Sequence, residues 1–124
     1  MKEINTPNAP AAIGPYSQAV EVGNTLYVSG QLPIVPATGA FPSEDIKDQT
    51  RASLENIKAI LAQAGMTMAN VVKTTVLLDD MGDFAAMNEV YSSFFEKPYP
   101  ARAAFEVAKL PKAAKVEIEV VAVR

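Results

Sequence analysis

The stretch from Pro100 to Val123, PARAAFEVAKLPKAAKVEIEVVAV, decides how the chain folds. Side chains of a strand point alternately to opposite sides, so its second half separates into two rows. Val116, Ile118, Val120 and Ala122 share one face, an apolar seat for helices. Glu117, Glu119, Val121 and Val123 share the other. Paired glutamates disfavour a monomer core, and paired valines disfavour an open solvent face. The first half divides likewise, with Ala103, Phe105 and Val107 on one side and Arg102, Ala104 and Glu106 on the other. The expectation is the most deeply buried pair of strands in the chain, about 101–108 and 115–123, joined by Leu110-Pro111-Lys112. Their second face is expected to be covered by another subunit, with a few charges confined at the boundary.

Upstream of this pair, VVKTTVLLDD is β-branched and short, as a strand should be. Asp80-Met81-Gly82-Asp83 opens a helix whose apolar face is Phe84, Met87, Tyr91, Phe94 and Phe95, stopped by Pro98. Ile46, Leu54, Ile57, Ile60 and Leu61 have the spacing of a longer helix, closed by Gly65 at C′. SQAVEV and TLYVSG form a hairpin around Gly23-Asn24, and the proline-rich residues 1–16 form an extended arm. The predicted order is ββαβαββ, an α/β (α+β) fold in one domain spanning residues 1–124.

Composition restricts the chemistry. The 124 residues are 49 % apolar and 20 % charged, a globular balance. A net charge of −3 without a basic run argues against a nucleic-acid partner. No apolar run approaches the roughly 20 residues of a membrane helix, and MKEINTPNAP lacks a signal-peptide core, so a cytoplasmic protein with no membrane partner is expected. Without cysteine or histidine there is no thiolate nucleophile, no Ser-His-Asp arrangement and no Cys- or His-liganded metal. No glycine-rich phosphate loop is present. Catalysis must therefore rest on Glu, Asp, Lys, Arg, Tyr, Ser or backbone groups acting on a reactive substrate.

By spacing alone the charged residues of the closing strands have structural readings: an interface salt bridge between Arg102 and Glu117, or glutamates that guard a sheet edge. Tyr16 after Gly14-Pro15 suits a turn-packing aromatic, Ser29-Gly30 a strand end, and Asn88 a polar surface position.

The blocks APAAIGPYSQAV, LYVSGQLP, SLENIKAILAQAGM, VVKTTVLLDDMGDFAAMNEVYSSFF and PARAAFEVAKLP followed by VEIE resemble, over essentially the whole chain, the Rid (YjgF) family of reactive-intermediate deaminases. The resemblance implies a chorismate-mutase-like fold, two helices packed on one sheet face, assembled as a homotrimer with sites in the clefts between subunits. It implies hydrolysis of 2-iminopropanoate and 2-iminobutanoate, which arise from enamines released by PLP-dependent dehydratases, to 2-oxo acids and ammonia. An imine carbon is already electrophilic, so a positioned water and a carboxylate clamp suffice and no cofactor or metal is expected. Carried over residue by residue, Arg102 of the P-A-R motif grips the substrate carboxylate through its planar donors. Glu117 of VEIE orients and activates water. The Ala104 backbone N–H assists at the carboxylate or carbonyl oxygen. Tyr16, a further catalytic candidate, lines the opposite wall with Ser29 and Gly30, and Phe84 and Asn88 join the cleft. Glu106 and Glu119 are left as structural.

Two departures stand out. Many relatives carry cysteine where this chain has Ala104, which removes thiol chemistry but leaves the backbone donor. The Glu96–Pro100 loop is also shorter than in several relatives, which bears on substrate breadth. Alternative readings are a trimer that senses 2-oxo acids or regulates other proteins without turnover, and a ribonuclease or translation inhibitor, which the acidic balance and missing histidine fit poorly.

Overall fold

A computed structural model describes all residues from Met1 to Arg124. Six strands form one sheet: β1 (Lys2–Ile4), β2 (Ala19–Val22), β3 (Thr25–Gln31), β4 (Val71–Leu78), β5 (Ala101–Glu106) and β6 (Val116–Val123). Their spatial order is β1-β2-β3-β6-β4-β5, antiparallel except for the parallel pair β4 and β5. Two helices, α1 (Ile46–Gln63) and α2 (Phe84–Ser92), cover one face.

α1 begins where Asp45 accepts hydrogen bonds from the N–H groups of Lys47 and Asp48 at 2.8 and 3.2 Å. It ends at Gly65, whose φ of +73° suits a residue without Cβ. Its Leu54, Ile57, Ile60 and Leu61 are fully buried against Leu26, Val76, Leu78, Val116, Ile118 and Ala122. The apolar row of the last strand is thus the helix seat, as its alternation predicts. α2 adds Met87 and Tyr91 to the same core. It ends at Ser92 rather than running to Pro98, yet Phe95 beyond its end stays buried. Asp80 caps a single 3₁₀ turn, Met81–Asp83, that leads into α2.

Two expectations need correction. The N-terminal arm includes a strand, β1, paired antiparallel to β2, which adds one element to the predicted order. The closing strands are not neighbours either: β4 lies between them, and β5 is a sheet edge rather than part of the most buried pair. Alternation assigns residues to faces but carries no information about which strand lies beside which.

The open face carries a cross-strand apolar row, Val20, Tyr27 and Val121, on adjacent strands. Val22 and Tyr27 are about half exposed, at 52 % and 50 %, and Phe105 on the edge strand is 48 % exposed. These aromatic and β-branched residues leave apolar surface exposed on the face opposite the helices. No helix is long and apolar enough to cross a membrane.

Candidate active site

Strand register divides the site residues between the two faces. Arg102 pairs with Thr74 and Ala104 with Val76, so Arg102, Ala104 and Glu106 belong to the helix-covered face. Glu117 pairs with Leu77, while its neighbour Ile118 pairs with the buried Val76, so Glu117 lies on the open face. Arg102 and Glu117 of one chain are therefore separated by the sheet, and no salt bridge joins them within it.

The Arg102 side chain, half-buried, donates from Nη1 to Asn88 Oδ1 at 2.5 Å. Its guanidinium carbon lies 4.7 Å from the Tyr91 ring centroid and 5.4 Å from that of Phe84, within cation–π range. The two ion pairs of the chain, Lys47–Glu89 and Arg124–Glu21, leave Arg102 without a carboxylate partner. Asn88, Tyr91, Tyr99 and Pro100 shape a cleft around it. Val107 N–H donates to Leu78 O at 2.8 Å, and donors alternate along a parallel strand, so the Ala104 N–H points out from the free sheet edge. Charged fork and open backbone donor thus occupy the same strand. Glu106 Oε1 accepts from Met81 N–H at 2.9 Å, a contact that fastens the start of α2.

The open-face groove is lined by Tyr16, Ser29, Gly30, Lys112, Glu117 and Glu119, among others. Burial, and secondarily the neighbouring Glu119 carboxylate, raise the Glu117 carboxyl above its ordinary value. Gly30 lies close to this carboxylate: a Cβ there would be 3.0 Å from Glu117 Cδ and Oε2. Glycine at this position leaves room for the carboxylate. The Ser29 hydroxyl donates to Ser17 O at 2.6 Å, and its N–H donates to Gln18 O, so this serine ties down the segment carrying Tyr16.

The groove walls are fixed by buried amides that sequence reasoning did not single out. Gln18, 1 % exposed, bonds the N–H and carbonyl of Thr6 and the carbonyls of Ala9 and Pro10. Asn56 of α1 donates to the carbonyls of Leu32 and Ile34. A polar side chain at the edge of an apolar pattern was the available signal, because such a group is buried only with partners. Tyr91 was assigned to the core; its contact with Arg102 depends on how α2 crosses β5, which helical periodicity does not specify. No cluster of acidic side chains is placed to hold a metal ion.

The structure brings Arg102, Asn88, Phe84 and the Ala104 donor together on one side, and Tyr16, Ser29, Gly30 and Glu117 on the other. One set joins a guanidinium to an outward backbone donor, and the other holds a carboxylate in a groove.

Comparison with known proteins identifies the family. A family model described as Endoribonuclease L-PSP matches residues 6–124. A RutC family protein of Pyrococcus horikoshii is 58 % identical over 123 residues, covering 98 % of each chain. TdcF of Escherichia coli K12, whose name assigns it provisionally as a reactive intermediate deaminase, is 49 % identical over 126 residues, 99 % of this chain and 97 % of that one. A crystal structure of E. coli TdcF with bound serine superposes with a TM-score of 0.95 at 49 % identity, over 100 % of this chain and 99 % of its own. RidA from an Antarctic Psychrobacter superposes with a TM-score of 0.96 at 50 % identity over the whole of both chains. The chain belongs to the YjgF/Rid family.

Proposed function

We propose that the protein hydrolyses small 2-imino acids, among them 2-iminopropanoate and 2-iminobutanoate, to 2-oxo acids and ammonia. The observation that carries this reading is the pair of complementary half-sites on opposite faces of one sheet. A guanidinium without a carboxylate partner stands at the edge, and a carboxylate of raised pKa stands in the open-face groove. In a homotrimer, the β5 edge of one subunit meets the groove of the next, and the exposed row containing Tyr27 and Val121 is covered in the contact.

Arg102 and the outward Ala104 N–H bind the substrate carboxylate. Glu117 accepts a proton from water as the water oxygen bonds to the carbon of the protonated imine and the C=N π electrons move to nitrogen, giving a neutral carbinolamine. Glu117 returns that proton to nitrogen, then takes the hydroxyl proton as the C=O bond forms and the C–N bond breaks, and passes it to the departing ammonia, which leaves as ammonium. A carboxyl raised above its ordinary value is the stronger base for the first transfer once ionised. Tyr16 closes the groove wall beside it. The serine bound by TdcF supports a ligand the size of a small amino acid. An RNA-cleaving role draws no support from the charge balance, because acidic side chains outnumber basic ones 14 to 11.

The test is a coupled assay with threonine dehydratase, following 2-oxobutanoate and ammonia release. Added protein is expected to accelerate release, and an unchanged rate overturns the proposal. Light scattering should give about three times the 13.2 kDa chain mass.

A further inference from the structure

Beneath Arg102, Thr74 interrupts the buried row of β4 that otherwise consists of Val71, Val76 and Leu78. It is 0 % exposed, and its Oγ1 lies 2.7 Å from the Tyr91 hydroxyl. A buried hydroxyl is costly without a partner, and here each hydroxyl satisfies the other. Thr74 is also the residue directly beside Arg102 in the β4–β5 register. The Tyr91 ring is thus held at both ends, by Thr74 at its hydroxyl and by Phe95, whose ring centroid lies 4.7 Å away at 40°. Phe84, the other ring beside Arg102, is farther from the guanidinium and has no polar anchor.

An arginine side chain loses considerable rotamer freedom when fixed, and every group that fixes Arg102 is uncharged. A carboxylate holder would compete with the substrate for the fork, whereas an amide oxygen and aromatic faces leave the positive charge available. We infer that the Thr74–Tyr91 hydrogen bond is a positioning device for Arg102, setting the Tyr91 ring against which the guanidinium lies and hence the angle at which its paired donors meet a carboxylate. The inference rests on the reading of Arg102 as a carboxylate clamp, and it assigns Thr74 and Tyr91 no contact with substrate.

Thr74→Val, Tyr91→Phe and the double variant test it in the full-length protein. Thr74→Val is nearly isosteric, and Tyr91→Phe keeps the ring. Titration calorimetry with 2-oxobutanoate should show Kd raised about tenfold in each single variant, with the double no worse than either, because both act through one bond. In the coupled assay KM should rise with Kd while kcat stays within about twofold, as expected for a contact made equally in ground and transition states. Discrimination between 2-oxobutanoate and its uncharged amide should shrink in the same proportion. Wild-type Kd and wild-type discrimination in folded variants, with only Tm lowered, overturn the inference, since that is the behaviour of a core hydrogen bond. If the wild type binds 2-oxobutanoate but does not accelerate imine hydrolysis, the deaminase reading fails, and the same Kd ratios still decide the role of this bond.

Discussion

Around Arg102 the neighbours are an amide oxygen, two aromatic rings and a sheet edge; around Glu117 they are a glycine, a second carboxylate and the walls of a groove. The first environment orients a guanidinium with uncharged groups that do not compete for it. The second makes charge less favourable, through burial first and the Glu119 carboxylate second, and so raises the proton affinity of the base. In the proposed reaction the clamp needs direction and the base needs tuning, and the two sides of the sheet would supply these separately.

The comparison breaks most visibly at the base. Glu117→Gln preserves shape and removes the proton acceptor, so kcat should fall by about 10²–10⁴-fold with 2-oxobutanoate binding largely kept. Unchanged turnover in the coupled assay would move the protein to the ligand-sensing reading. Glu119→Gln is the control, with at most a slight change in rate.

At the clamp, Arg102→Ala should weaken binding and kcat/KM together by about a hundredfold while the oligomer persists in sedimentation. Arg102→Lys keeps the charge without the flat paired donors and should lose most activity as well. If Arg102 served only as an interface salt bridge, the oligomer would weaken first, by about 3–5 kcal/mol for a truly buried pair.

Gly30→Ala sharpens the contrast, because the new methyl group enters the space of the Glu117 carboxylate. Displacement of the base should lower kcat by about tenfold with KM little altered, the opposite split from that expected at Thr74. A rise in KM alone would place Gly30 against the substrate rather than the base.

The smallest effect concerns stability. The Glu117 carboxyl is raised above its ordinary 4.5 in the folded chain. A group raised on folding contributes stability below its unfolded value and loses it as pH rises through the folded one. Glu117→Gln should therefore melt slightly higher than wild type at pH 7, with the advantage fading as pH falls to 4.5. The same ionisation sets an acid limb on kcat/KM above 4.5, absent in Glu117→Gln. A wild-type limb below that value would contradict the burial effect.

Much of this was legible in the chain itself. Period-two alternation in 116–123 identifies the helix seat, and the spacing from Ile46 to Leu61 with Gly65 beyond delimits the long helix to within a residue. The Rid resemblance assigned Arg102 and Glu117, but alternation could not show that they lie on opposite faces, because a face shared along one strand acquires its side only from the neighbouring strands. The insertion of β4 between β5, to which it runs parallel, and β6, to which it runs antiparallel, is long-range information that no local pattern encodes. The neutral setting of Arg102 was hidden for a related reason: Tyr91 and Thr74 satisfy core periodicity equally well with or without a guanidinium above them.

The central claim is that a working centre joins Arg102 of one subunit to Glu117 of another. The direct measurement mixes Arg102→Ala chains with Glu117→Gln chains, refolds or co-expresses them together, and assays 2-imino acid hydrolysis. Each parent is nearly inactive alone, but a contact between the Arg102 edge of a Glu117→Gln chain and the groove of an Arg102→Ala chain contains both intact groups. Random assembly should restore about a quarter of the wild-type rate per subunit. Mixed oligomers, verified by mass, that show no more activity than the sum of the parents would contradict the shared site.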